Sequence, residues 1–198
     1  MGMPAQEKQR WTAREVRELI AAAPHATPRY ELVDGELLVT PSPGPPHQWA
    51  VTRLLFELAL YLREQPVADV LTSPSDIEVE AEQVTQPDIF ILSNAEADRI
   101  TRDGFPAHDL LVAIEVVSPS SARYDRVTKR ALYHRRIPEY WVVDVDARII
   151  ERWRQGHDRP EIVTGILEWT PEGATRPFTL DLPSLFASAW RERQPPRA

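Results

Sequence analysis

The sequence predicts an α/β fold, a mixed β-sheet with helices packed against it. Three features carry that expectation. A helical hydrophobic repeat runs from His47 to about Arg63, an apolar β-branched run "DLLVAIEVVS" begins at Asp109, and the basic stretch "DRVTKRALYHRR" leads from it into a second apolar strand, "EYWVVDV". Helices alternating with strands in this way make a sheet covered on its faces.

Taken in order, residues 1–10 are polar and expected to be disordered. "TARE" at Thr12–Glu15 is a capping box, and the short helix it opens should end near Pro24. "YELVDGELLVT" predicts a hairpin with Asp34-Gly35 as its tight turn, followed by the irregular proline-rich "PSPGPP". In the next helix Val51, Leu54, Leu55, Leu58 and Leu62 recur at helical spacing and should be its buried face. "DIEVE", "VTQPDIFIL" and "DLLVAIEVVS" read as three strands, the second interrupted by Pro87. The basic helix and a long strand or hairpin arm, "EYWVVDVDARIIERWR", come next, with a turn at Gly156. A further strand pair and a short closing helix reach "FTLDLPSLFASAW". The central order is helix, strand, strand, strand, helix, strand, in one domain over residues 11–190. Residues 191–198 are expected to be disordered.

Bulk properties narrow the function. The chain of 198 residues has no cysteine, which excludes disulfides, thiolate zinc sites and cysteine nucleophiles. No apolar run approaches the ~20 residues that span a bilayer. The start lacks the apolar core of a signal peptide, so a cytoplasmic address and no membrane partner are expected. A net charge of −7 confines any nucleic-acid binding to a local patch. The five histidines are scattered without a ligand pair, and there is no GxSxG elbow or phosphate-binding glycine loop.

Glu115 raises the chemical question, because an ionised carboxylate in an apolar strand needs a partner. Strand alternation puts Leu111, Ala113, Glu115 and Val117 on one face. If the strand that follows Pro87 pairs with this one, Asp88 approaches Glu115. Two bare carboxylates about 4 Å apart repel by roughly 4 kcal/mol at an effective dielectric near 20. Folding then requires a proton, an intervening basic side chain or a bridging dication, and oxygen ligands suit magnesium or manganese. On the following helix Asp125, Lys129, Leu132 and Arg136 line one stripe. Its six basic residues against Asp125 alone suggest a phosphate-facing surface. Tyr124, Tyr133 and Trp141 read most simply as core or sheet-cover aromatics.

"QPD" at Gln86–Asp88, "EVVSPSS" at Glu115–Ser121, "YDRVTKRALY" at Tyr124–Tyr133 and "PEYWVVD" at Pro138–Asp144 resemble the signature of the Uma-two family. "YELVDGELLVTPSPGPPHQ" is similar to that family's opening motif. The family is a bacterial group of endonucleases in the PD-(D/E)XK superfamily, so the resemblance implies a restriction-endonuclease-like core. It implies that Asp88 and Glu115 bind Mg²⁺ (or Mn²⁺), with the carbonyl of Val116 as a third oxygen. The usual lysine position is Val117 here, which makes Lys129 the stand-in. The implied reaction is metal-assisted hydrolysis of DNA phosphodiesters, with Lys129 orienting or helping to deprotonate the water. Glu36, His47, Asp76 and Asp125 are candidates for the periphery of the site. A homodimer follows by analogy with nucleases that cut two strands. The competing reading is a non-catalytic module that keeps the nuclease scaffold for binding nucleic acid or protein. Hydrolysis of another phosphoester is the weaker third.

Overall fold

Thr12 and Glu15 cap one another as the capping box predicts. The Thr12 N–H and hydroxyl both donate to Glu15 Oε2 at 2.8 Å, and the Glu15 N–H donates back to Thr12 Oγ1 at 3.3 Å. They open α1 (Ala13–Ala22) in a computed structural model that describes residues 10–22, 28–40, 42–78, 83–100, 105–106, 110–119 and 121–190. The expected helix end at Pro24 and, apart from Arg10, the terminal segments expected to be disordered lie outside the described residues.

Strands β1 (Arg29–Val33) and β2 (Glu36–Thr40) form the predicted hairpin, with Asp34 at φ 51° and Gly35 at φ 78°. Both turn residues are left-handed, as a two-residue hairpin turn requires. Helix α2 (Pro45–Glu64) starts on two prolines that need no N–H partner there, and it buries Leu54, Leu58 and Leu62. Val51 and Leu55 sit half-buried at the edge of that face.

The rest supplies the sheet and its covers. Along the chain come β3 (Ala68–Thr72), β4 (Ile77–Glu78), β5 (Ile89–Ser93), α3 (Asn94–Ala97), β6 (Phe105–Pro106) and β7 (Leu110–Val117). Residues 122–136 are one helical segment made of α4 (Ala122–Tyr124), a π-helical turn (Asp125–Lys129) and α5 (Arg130–Arg136). Then follow β8 (Glu139–Asp144), β9 (Ile149–Arg154), β10 (Glu161–Val163), β11 (Ile166–Trp169), β12 (Phe178–Asp181) and α6 (Leu182–Ala189).

Six strands form a mixed sheet in the order β10-β9-β8-β7-β5-β3, with β7 and β8 parallel and every other pair antiparallel. The crossover between the parallel strands is the 122–136 helix. One face of the sheet packs Ile89, Ile91, Val112, Ile114 and Trp141 against α2, α6 and the β11–β12 hairpin. The other packs Phe90, Ala113, Val117 and Tyr140 against Leu132 and Tyr133 of the crossover helix. Each fully buried Ile, Val or Phe contributes about 1.5–3 kcal/mol, so both covers are tied firmly to the strands. Among the described residues no helix is long and apolar enough to cross a membrane.

Three strand expectations need correction. Of "DIEVE", only Ile77–Glu78 is a described strand, and it pairs in parallel with β6 outside the six-stranded sheet. The edge strand is Ala68–Thr72, whose exposed Asp69 and Thr72 give it too weak an apolar signature to stand out. "VTQPDIFIL" splits, because Pro87 lacks the N–H a ladder needs. Val84 and Thr85 bridge to Leu32 and Ile77, and β5 proper begins at Ile89. Finally, a register shift between Ile91 and Leu92 sets Leu110, not Leu111, on the face of Ala113 and Val117.

Candidate active site

Ile89 lies opposite Ile114 in the antiparallel pair of β5 and β7, so the residue before Ile89 comes opposite the residue after Ile114. Those residues are Asp88 and Glu115. Each is 3% exposed, and both border a cleft of about 90 Å³ at the end of the sheet. The Asp88 carbonyl accepts from the Thr72 hydroxyl at 2.7 Å and from the Ser73 N–H at 3.2 Å, which pins the segment against the end of β3.

The structure resolves the repulsion between the two acids by placing basic side chains on each. Asp88 Oδ2 accepts from the Val116 N–H at 2.9 Å and from His47 Nε2 at 3.0 Å. A carboxylate only accepts, so the histidine proton sits on Nε2. The Arg29 guanidinium is 2.7 Å from Asp88 Oδ1. On the other side, Lys129 Nζ donates to Glu115 Oε1 at 2.8 Å and lies 2.9 Å from Glu31 Oε1 and 3.5 Å from Asp125 Oδ1. Glu31 Oε1 also accepts the Gln86 N–H at 2.7 Å, linking the lysine to the segment that carries Asp88.

The π turn explains how one helix supplies both Asp125 and Lys129. Its wide turn seats both on the sheet side, where each is 3% exposed. The predicted stripe therefore holds for Asp125, Lys129 and Leu132 but not for Arg136, which is exposed while Tyr133 is buried. The basic helix is partly engaged inside the protein and partly exposed. Lys129 is buried, Arg126 pairs with Asp144 at 2.6 Å and Glu151 at 2.5 Å, and Arg130 lies over the Trp153 ring at 4.7 Å. Three of its six basic side chains are engaged in this way, while Arg123, Arg135 and Arg136 are exposed. Tyr133 and Trp141 are fully buried core aromatics, as expected.

Electrostatics separates the two acids. Burial pushes Asp88 up, but the hydrogen bond and charge of His47, then Arg29 and the Val116 N–H, outweigh it and hold the carboxyl at about 2. Burial raises Glu115 well above the ordinary range. Lys129 opposes that rise, while Asp125, Asp88 and Glu31 add to it. Lys129 itself is raised, because Glu115, Glu31 and Asp125 outweigh the burial that would lower it. Those three acids favour its charged form.

Of the peripheral candidates, His47 and Asp125 border the cleft. Asp76 accepts from the Gln86 amide at 2.7 Å and stands one residue removed from the cleft wall. Glu36 is exposed at the far end of β2 from Thr40, the residue of that strand that lines the cleft. Sequence reasoning missed Glu31 and Arg29. Glu31 carries the same signal as Glu115, an acid beside Leu32 and Val33, but a hairpin strand reads as having one wet side. Here both sides are covered, since Leu32 packs with Ala13 and Val16 while Val33 joins the cluster beneath the crossover helix.

The donor set fits a divalent cation. Glu31, Asp88, Glu115 and Asp125 bring four carboxyl groups to the cleft beside two cationic side chains, Arg29 and Lys129. Asp88 Oδ1 is buried and has the Arg29 guanidinium 2.7 Å away as its partner. Among the described residues no three His, Asp or Glu side chains gather as a ready-made metal group. The set expected from the sequence needs only two acids and a main-chain carbonyl. In an extended strand a residue's N–H and C=O share an edge, and the Val116 N–H points at Asp88.

Comparison with known proteins agrees with these motifs. A family model described as "Uma2: Putative restriction endonuclease" matches residues 15–186. No curated protein matches the chain. A solved structure described as "a putative nuclease belonging to DUF820 from Anabaena variabilis ATCC 29413" superposes with a TM-score of 0.69 at 16% identity, covering 88% of this chain and 98% of that one. At that identity the likeness concerns the fold, and it matches the mixed sheet and helices described above.

Proposed function

Because the chain belongs to the Uma2 family, we propose that it is an endonuclease that hydrolyses DNA phosphodiester bonds with Mg²⁺ (or Mn²⁺) as cofactor. One observation carries the reading: two buried acids, one in β7 and one just before the neighbouring β5, border the same cleft, with an ammonium in hydrogen-bond contact with one of them.

Asp88, Glu115 and the Val116 carbonyl would hold the cation. When bound, it supplies Lewis acidity at the phosphoryl oxygen and lowers the pKa of its water. His47 and Arg29 keep Asp88 ionised and oriented. Lys129 contributes a fixed positive charge that orients the attacking water and offsets charge developing on the phosphoryl oxygens. The carboxylates around its ammonium favour the charged form, which supports orientation and electrostatics over deprotonation of the water as its role. Burial of the whole set strengthens each of these interactions, because little water competes.

Plasmid nicking tests the proposal. Supercoiled DNA with protein and Mg²⁺ or Mn²⁺ should relax, EDTA should stop it, and Asp88→Ala, Glu115→Ala and Lys129→Ala should each abolish it. Undiminished activity in any of the three variants would overturn the assignment. If calorimetry finds no Mg²⁺ affinity with or without DNA, the chain is instead a binding module on a nuclease scaffold.

A further inference from the structure

Lys129 sits in an unusual place for an ammonium. Carboxylate oxygens from three separate elements converge on it: Glu115 from β7 at 2.8 Å, Glu31 from β1 at 2.9 Å and Asp125 from the π turn at 3.5 Å. None of these four residues is more than 3% exposed. A lysine has three N–H donors, and three acids surround it. Convergence of oxygens from distant parts of the chain on one point is how proteins ring a metal ion. The occupant here is tethered to the helix.

Two further contacts show that the cage is built for the lysine. Glu31 Oε1 divides itself between Lys129 and the Gln86 N–H at 2.7 Å, so it is fixed in place by the backbone just before Asp88. The π turn brings Asp125 and Lys129 to the same side of the helix, and Tyr140 holds the Asp125 carbonyl with a hydrogen bond of 3.1 Å. A second divalent ion would have to displace an ammonium from all three acids and leave it buried without a partner, which is costly.

We propose that the Lys129 ammonium takes the place of a second cation, so that the centre binds one divalent ion, with Glu31 and Asp125 as positioning residues for the lysine and not as metal ligands. The inference rests on the reading that Asp88 and Glu115 hold the ion, and it adds the number of ions and the role of Glu31. Glu31 fixes where the positive charge of Lys129 stands relative to Glu115. Its loss should therefore act on turnover more than on substrate affinity.

Titration of the EDTA-treated full chain with Mn²⁺ tests this, following free Mn²⁺ by electron paramagnetic resonance and binding by calorimetry. The expected result is one ion per chain. Glu31→Gln and Asp125→Asn should keep that ion, with affinity weakened by no more than the roughly 10–100-fold typical of groups behind the ligands, whereas Glu115→Gln should lose it. Lys129→Met empties the cage and should admit a second ion, with circular dichroism checking that the variant folds. In nicking assays Glu31→Gln should lower kcat with KM nearly unchanged. Two ions on the unaltered chain would overturn the inference and leave the endonuclease reading standing. Loss of the single ion in Glu31→Gln, or one ion only in a folded Lys129→Met, would overturn it too. No Mn²⁺ on the unaltered chain overturns both readings. If Lys129→Met does not fold, the unaltered chain and Glu31→Gln still decide.

Discussion

Glu115, in the middle of the most apolar strand of the sheet, is held 2.8 Å from the ammonium of Lys129, which arrives from the helix covering that face. The pair explains how an acid survives where solvent is excluded. Val117, where the resemblance implies a lysine, packs beneath the crossover helix, and the ammonium beside Glu115 comes from that helix.

Removing two members of this network should cost less than the two single removals added together. Lys129→Met strands three buried carboxylates, and breaking a buried pair in this way costs about 3–5 kcal/mol. In urea unfolding without metal, the double variant Lys129→Met/Glu115→Gln should lose less stability than the two single losses added together. Simple additivity would show that the two side chains are not coupled.

Acid should weaken the fold through Asp88. Its carboxyl falls from an ordinary 3.8 to about 2 in the folded chain. The stabilisation is fully present above the ordinary value and is lost as pH falls through about 2. The shift corresponds to about 2 kcal/mol. Glu115 has the opposite sign, since its raised carboxyl favours folding below 4.5 and that benefit disappears as pH rises through its folded value. Urea midpoints measured in EDTA between pH 5 and pH 2 (a range on the order of these carboxyl values) should therefore fall less steeply for Asp88→Asn than for the unaltered chain. An unchanged slope would contradict the ionised, partnered state of Asp88.

The hairpin turn that supports Glu31 offers a test away from the cleft. Gly35 has φ 78°, and a Cβ there would meet Arg10 Nε at 3.0 Å. Gly35→Ala should cost roughly 1–2 kcal/mol for the left-handed backbone alone. Thermal unfolding unchanged from the original chain would mean the turn can adopt another conformation.

Much of this arrangement could be read before any coordinates, because the strongest signals were local. Glu115 and Asp88 stood out as acids that their surroundings could not leave alone, and Thr12, Asp34 and Gly35 announced their helix cap and turn by residue type. The misreadings arose where tertiary context decides. Ala68–Thr72 is an edge strand with a wet face, so its pattern is weaker than that of "DIEVE" beside it. Glu31 looked like the solvent side of a hairpin until α1 and the cleft closed over both of its faces. Arg126 of the crossover helix reads as part of a free basic surface, because Asp144 and Glu151, which neutralise it, lie on strands later in the chain. Spacing along a helix shows which residues share a face but not which acids will meet them.

The most direct measurement is a crystal structure of the chain soaked in Mn²⁺, with anomalous scattering used to locate the ion. The account predicts one peak joining Asp88, Glu115 and the Val116 carbonyl, with Lys129 still bound by Glu31 and Asp125. A peak elsewhere, or none while both acids remain occupied only by Arg29, His47 and Lys129, would contradict it.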